Sequence, residues 1–451
     1  MSAGSVLLAI PYASALALFC AELGGWFKLR RVSVPQIREG CWIFGIAVTY
    51  ATQLAMVRYG ALNGAPALPQ WRLEMPIPVV WLFTAHSDVI DVAMLCCGAA
   101  QTYALIALYR SKPSMRAVAI GAAIIVAMSL AAPALTSGDV YSNAGYGLLG
   151  TVASYAPPAR AFGGTFSAIN RWWGVPMVAS PYGPLWLAID RFITAPWPSL
   201  LEKILALRVF GALCFVALAA LFRGSGLPSR IVAITLLNPF LAFQFVANAH
   251  NDIFALAAIA AAAALTRARA GTSALLLFTV GLVKLPYVVL ALPILNRVRP
   301  VLWRSALALS AVALTVAVSW LAGGRAYVRA LLAHASPMES LVLWHAFADV
   351  VALAIVVSAL FTGRRYLTAV WLLPAIGGFS PAFVFPWYLA WGLPYALSRH
   401  RALGYLLIWL PFISALVDQQ AIHLWRILFV FPLVVVLALR AGADRRLATA
   451  T

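Results

Sequence analysis

The sequence predicts an all-α, polytopic membrane protein, and three observations carry the prediction. Of 451 residues, 63% are hydrophobic and 10% charged, with a mean hydropathy of +0.92; soluble domains carry roughly a quarter charged residues. Apolar runs of about bilayer-spanning length recur along the whole chain. Basic residues gather in short clusters between those runs, and the alternating segments of a membrane barrel are absent.

Taken in order, spans are expected near 5–26, 41–58, 87–109 and 117–135, then 203–222, 229–248, 251–266, 302–321, 342–361, 402–417 and 421–440. The first run lacks a basic start and a small-residue cleavage site, so it is expected to be retained. Residues 272–295 and 366–397 are interrupted by proline, at Leu285-Pro286 and between Pro381 and Pro386. Basic clusters flank both segments, so each is expected to cross an even number of times, as two short or re-entrant passes. Irregular backbone at that depth is tolerated where it lines protein or a wet cavity. The total is roughly 13–15 crossings, in one multispanning domain over residues 1–451.

The net charge of +19 suggests a nucleic-acid partner, but its distribution argues against one. Most of the 32 Lys and Arg fall in loops at 28–38, 110–116, 223–230, 267–269, 297–304, 364–365, 399–401 and 440–446. Such clusters fix orientation and touch anionic lipid. They put the amino terminus outside and deliver Asp139, just past the fourth run, to the outer face. The five cysteines have neither metal spacing nor a paired framework, and no phosphate-cradling glycine loop is present.

Residues 136–200 hold no uninterrupted span and are rich in Gly, Pro, Ser, Tyr and Trp. They are expected to form an outer loop with short amphipathic helices, Arg171, Trp172, Trp173, Trp186 and Trp197 suiting the interfacial zone. Ser-Gly-Asp-Val-Tyr-Ser at 137–142 opens it. Asp139 there reads either as a helix cap or as a general base, with Tyr141 beside it; acids near hydrocarbon are costly enough to favour a task. Ser-Pro-Tyr-Gly-Pro-Leu-Trp at 180–186 makes a rigid turn, with Pro184 opening a helix and Tyr182 and Trp186 facing a sugar or the lipid interface.

Further along, Asn-Ala-His-Asn-Asp at 248–252 offers His250, Asn251 and Asp252 as sugar or phosphate contacts, against a capping role for Asn251 or Asp252. Lys284, inside the apolar stretch Gly-Leu-Val-Lys-Leu-Pro-Tyr at 281–287, must find water or an anion and is read as a phosphate contact, against simple snorkelling. In Phe-Pro-Trp-Tyr-Leu-Ala-Trp at 385–391, Trp387 and Tyr388 shape a pocket or belong to an aromatic belt. Arg325, Arg329, His334 and Glu339 are expected to decorate an outer loop. The polar groups collect on the outer side, which suits a lipid-borne substrate arriving through the bilayer. The other class with such cavities is a transporter or flippase of a lipid-linked sugar, but no internal repeat supports it.

The order Gly-Asp-Val-Tyr-Ser, Pro-Tyr-Gly-Pro-Leu, Asn-Ala-His-Asn-Asp, Val-Lys-Leu-Pro and Pro-Trp-Tyr-Leu resembles the bacterial polyprenol-phosphate-mannose-dependent α-mannosyltransferases. It is similar in particular to the mycobacterial α-(1→6)-mannopyranosyltransferases, which belong to the multispanning GT-C glycosyltransferases. The resemblance covers roughly residues 130–400, and the first 120 add little to it. It departs after Asp139, where Asn-Ala-Gly-Tyr at 143–146 and Tyr-Ala-Pro-Pro at 155–158 replace a pattern nearer Gly-x-Asn-Pro-Tyr.

The resemblance implies an inverting hexosyltransferase in a bacterial inner membrane. Its donor is a polyprenyl-phosphate sugar, with mannose as the family default, and its acceptor a cell-envelope glycan or glycolipid. It maps the catalytic acid onto Asp139 and a donor-phosphate contact onto Lys284, with Arg171 as a further cation and His250 to Asp252 in the cavity. No cofactor, metal or nucleic acid is expected.

Overall fold

The structure is a computed structural model; it describes residues 35–64, 88–132, 138–265, 276, 278–285, 287, 301–335, 346, 349–350, 352–354, 390 and 408–411. Every regular element among them is helical, as expected for a helical membrane protein. Three long helices come first: α1 (Glu39–Gly64), α2 (Asp88–Ser111) and α3 (Met115–Ala131). Short helices follow: α4 (Asp139–Leu149), α5 (Thr151–Tyr155), a 3-10 turn at Gly164–Phe166, α6 (Ser167–Trp173) and α7 (Pro184–Thr194). The chain then forms α8 (Leu200–Gly224), α9 (Ser229–Leu236), α10 (Pro239–Ala242) running into a π turn (Phe243–Ala247), α11 (Asp252–Leu265) and α12 (Val301–Ala335).

Local chemistry sets the boundaries. Ser114 caps α3 by accepting from Ala117 N at 3.3 Å, while Glu39 at the start of α1 accepts from Ser114 N at 2.7 Å and Ser114 Oγ at 2.5 Å. One carboxylate thus ties two helix starts together. A capping box opens α8: Glu202 N donates to Ser199 Oγ and the Glu202 carboxylate accepts from Ser199 N. Pro184 opens α7, where its missing N–H costs nothing.

Among the described residues, Leu200–Gly224 and Ser305–His334 are long and apolar enough to cross a membrane, and the pair Ser229–Leu236 with Pro239–Ala247 forms a third candidate bent by 53°. That bend corrects the expectation of one straight span over 229–248. Pro239 supplies no N–H to the preceding turn, and Asn238 Oδ1 accepts from Phe240 N at 3.1 Å and Leu241 N at 3.4 Å, starting a new helix. The run expected at 302–321 also continues, through a kink at Gly324 (φ 53°), to Ala335. Arg325, Arg329 and His334 therefore lie on a helix rather than in a loop. The expected spans 5–26 and 421–440, and most of 272–295, 342–361, 366–397 and 402–417, lie outside the described residues.

Helix α8 holds the molecule together. It packs on α11, the π turn, α7, α9, α4 and α3, with Leu207, Phe215, Leu218 and Phe222 buried inward. Leu205, Val209, Leu213 and Val216 line its other side and remain exposed, as a lipid-facing stripe requires. Gly211 allows the close approach to the π turn, since a Cβ there would press into the Phe245 carbonyl. The short helices α4 and α7 pack on each other over one end of this bundle.

Candidate functional site

Asp139 is the first residue of α4, after Gly138, which holds the cap position without a side chain to cap with. Gly138 is pinned by Trp173, whose Nε1 donates to its carbonyl at 3.1 Å. The Asp139 carboxylate, 23% exposed, turns to His250: Oδ2 lies 2.9 Å from Nδ1 of a fully buried imidazole. The other ring nitrogen, Nε2, lies 3.1 Å from Gln244 Oε1, which also accepts from Asn248 Nδ2 at 3.0 Å. Both ring nitrogens thus face oxygens, Nδ1 a carboxylate and Nε2 a side-chain amide, and the ring is fixed from both sides.

A second pair lies two residues further along the chain. Asp252, at the start of α11, is almost wholly buried. Its Oδ1 accepts from Tyr287 OH and faces Lys284 Nζ at 3.5 Å. Lys284 is 17% exposed on its side chain and lies 5.9 Å from the centroid of the Tyr182 ring. Its ammonium is held between a carboxylate and an aromatic face, which is not a snorkelling geometry. The backbone behind it is fixed as well: Gly183 N donates to Val283 O at 2.9 Å and Leu185 N to Leu282 O at 3.1 Å. The strand-like contact satisfies amides at the start of α7 that have no helical partner. It requires glycine, because a Cβ at 183 would collide with the Leu282 backbone.

A network of tyrosines joins the two pairs. Tyr182 stacks edge-on with Tyr146 at 6.1 Å, and its carbonyl accepts from Tyr155 OH at 3.1 Å. Tyr155 in turn packs against Tyr327 of α12 at 5.0 Å. Two turns beyond Tyr327, His334 feels the charges of both Lys284 and Asp139, so all three groups share one neighbourhood. Burial, then the charges of Asp139 and Asp190, push the Tyr146 phenol well above its ordinary range. It stays neutral and donates to Val178 O at 3.0 Å. Asp190, on α7, is fully buried, and neither of its oxygens has a hydrogen-bond partner among the described residues. Burial raises its carboxyl well above the ordinary value; the Lys203 charge and the Gly147 N–H offset only part of that.

The candidate residues thus separate into groups. Asp139, His250, Asp252, Lys284 and Tyr182 are brought together. Asn251 is buried beside them, with Nδ2 unpartnered among the described residues. Tyr141 is fully buried beside Arg208. Arg171 lies on α6, its side chain outside the described residues, and Trp387 and Tyr388 lie outside them altogether. Trp186 faces neither lipid nor cavity: it is buried against Phe210 and Phe254, with Nε1 donating to Asn143 Oδ1 at 3.1 Å. Among the described residues no three metal-ligating side chains converge.

Sequence reasoning missed the roles of Gln244, Tyr287 and Arg208, and placed His334 in a loop rather than near the site. Gln244 and Arg208 carried a usable signal, being polar groups within apolar runs.

An all-helical membrane protein with a partly exposed carboxylate and ammonium in one neighbourhood is the frame in which the sequence comparison falls. The chain belongs to the MptA_B family: the family model of the alpha-(1->6)-mannopyranosyltransferase N-terminal domain matches residues 43–301. The match takes in residues 43–120, where no motif was legible. No curated protein and no solved structure matches the chain.

Proposed function

We propose that the chain is an inverting mannosyltransferase that uses a polyprenyl-phosphate sugar as donor and a cell-envelope glycan or glycolipid as acceptor, on the outer face of the membrane. Family membership supports mannosyl transfer. The observation that carries the rest is the pairing of Asp139 with His250 beside the Asp252–Lys284 pair. Only Asp139 and Lys284 of these four present side-chain surface to a ligand.

In this reading the exposed edge of the Asp139 carboxylate accepts the proton of the acceptor hydroxyl as that oxygen attacks the anomeric carbon. The bond from that carbon to the lipid phosphate breaks on the opposite side, through an oxocarbenium-like transition state. Lys284 balances the charge gathering on the departing phosphate, with Arg171 as a second cation. His250 holds Asp139 in orientation from behind, and Asp252 does the same for Lys284. Tyr182 flanks Lys284 and Asn251 lies buried beside the pairs, while Tyr141 braces them from the core; Trp387 and Tyr388 are further proposed substrate contacts. None of these steps calls on a nucleotide or a metal.

The test is transfer from polyprenyl-phosphate mannose by purified protein in detergent. Asp139→Asn should fold and show no transfer; turnover at the wild-type rate would reject Asp139 as the base. The alternative, transport of a lipid-linked sugar, needs membrane compartments, so product formed in detergent excludes it.

A further inference from the structure

We propose that Arg208 is a positioning residue for the Asp139–His250 pair; the proposal rests on the reading of that pair as the reacting centre. Arg208 lies on α8, within a membrane-spanning helix, and is wholly buried. Its Nε donates to Ala247 O at 2.8 Å and its Nη1 to Leu130 O at 3.0 Å. Both acceptors stand at helix ends. Leu130 is in the last turn of α3, and Ala247 is the last residue of the π turn. Carbonyls at such ends have no intrahelical donor and, away from water, are costly to leave unmade.

The two acceptors also stand where the two reacting segments depart. The chain leaves α3 at Ala131 and reaches Asp139 eight residues later; it leaves the π turn at Ala247 and reaches His250 three residues later. The planar fork of one guanidinium spans both exits and fixes their separation. The surroundings hold the fork in place. Tyr50 donates to or accepts from Ser129 Oγ at 2.8 Å, and Tyr50 and Tyr141 flank the Arg208 charge. Close packing of Gly211 against Phe245 keeps α8 against the π turn, one helical turn away.

A lysine at 208 keeps the charge and loses the fork, so it reaches one carbonyl and releases the other. The loosened exit lets Asp139 and His250 move relative to each other, while donor contacts at Lys284 and Tyr182 stay as they are. The charged and titratable groups around the pair are Tyr146 on α4, Asp252 on α11, Lys284, Tyr287 and, on α12, His334. Arg208→Lys alters none of their charges.

The experiment uses full-length protein in detergent, with thermal unfolding as the control for folding. Arg208→Lys should lower kcat on the order of a hundredfold, leave the donor KM within about twofold, and shift the pH–rate profile. Combined with His250→Gln, it should add little further loss, since both changes release the same carboxylate. A second readout does not depend on turnover. In protein labelled with 15N-histidine, the His250 ring signal, identified by its loss in His250→Gln, should change its chemical shift in Arg208→Lys. Wild-type kcat and an unmoved His250 ring signal in a folded Arg208→Lys protein overturn the proposal. Failure of both Arg208→Lys and Arg208→Gln to accumulate folded protein overturns it too, because Arg208 is then a support for the whole fold. A moved His250 ring signal without any transfer by the wild type keeps the positioning role and sinks the assigned reaction instead.

Discussion

At the scale of single residues, the site is governed by the cost of burying charge. Asp252 is tolerable because Tyr287 and Lys284 both donate to the same oxygen. Tyr287→Phe removes one donor and leaves the carboxylate under-satisfied. It should destabilise the protein by about 1–3 kcal/mol, read by thermal unfolding in detergent. Asp190 is the opposite case, a fully buried carboxyl whose burial the Lys203 charge and the Gly147 N–H offset only in part. Its folded value is raised above the ordinary 3.8, so the folded state keeps a proton that the unfolded chain has lost. Stability is therefore fullest below that ordinary value and declines as pH rises through the interval up to the raised one. Asp190→Asn should abolish the decline and raise neutral-pH stability by about 1–3 kcal/mol, measured by unfolding at a series of pH values. At the site itself, Lys284→Met should raise the KM for the lipid donor far more than that for the acceptor; equal changes in both would count against a phosphate contact.

At the scale of elements, the short helices and the bent pair matter more than the long spans. Gly183 lets the start of α7 lie against the backbone that presents Lys284. Gly183→Ala should cost about 1–3 kcal/mol through overpacking and weaken donor use by displacing Lys284; an unfolding scan and a donor titration read the two effects. Much of this scale was legible in the sequence. The apolar runs marked the helices, Pro184 marked the start of α7, and the rarity of acids singled out Asp139 and Asp252. The partners were not legible. His250 lies 111 positions from Asp139 and Tyr287 lies 35 from Asp252, and such contacts depend on how helices pack, which periodicity does not encode. The Asn238-Pro239 bend was hidden for another reason: hydropathy continues straight across it while the hydrogen-bond ladder does not.

At the scale of the whole molecule, α8 separates two environments. Its lipid-facing stripe meets hydrocarbon, and its inner side carries Arg208 to the root of the site. Polar substitutions on the outer stripe, such as Leu213→Asn, should impair insertion or stability by about 1–3 kcal/mol and leave kcat of the folded fraction unchanged. Measuring yield and specific activity together separates the two. The sequence conveyed this division only in part, because α8 reads as uniformly apolar and its two faces become distinct only against their neighbours.

The Asp252–Lys284 couple sums to zero charge, and the Asp139 carboxylate leaves its pair with His250 no net positive charge. A phosphodiester donor of the proposed kind, with its single negative charge, meets no surplus of positive potential from these four groups, so its capture should respond only weakly to added salt. In the proposed reaction the phosphate gains a second negative charge as Asp139 takes up a proton, so the pair it forms with His250 becomes more positive by one unit in the same step. The net charge of site and bound substrate is therefore unchanged by transfer, and release of the proton from Asp139 to water is what then weakens the hold on the departing phosphate.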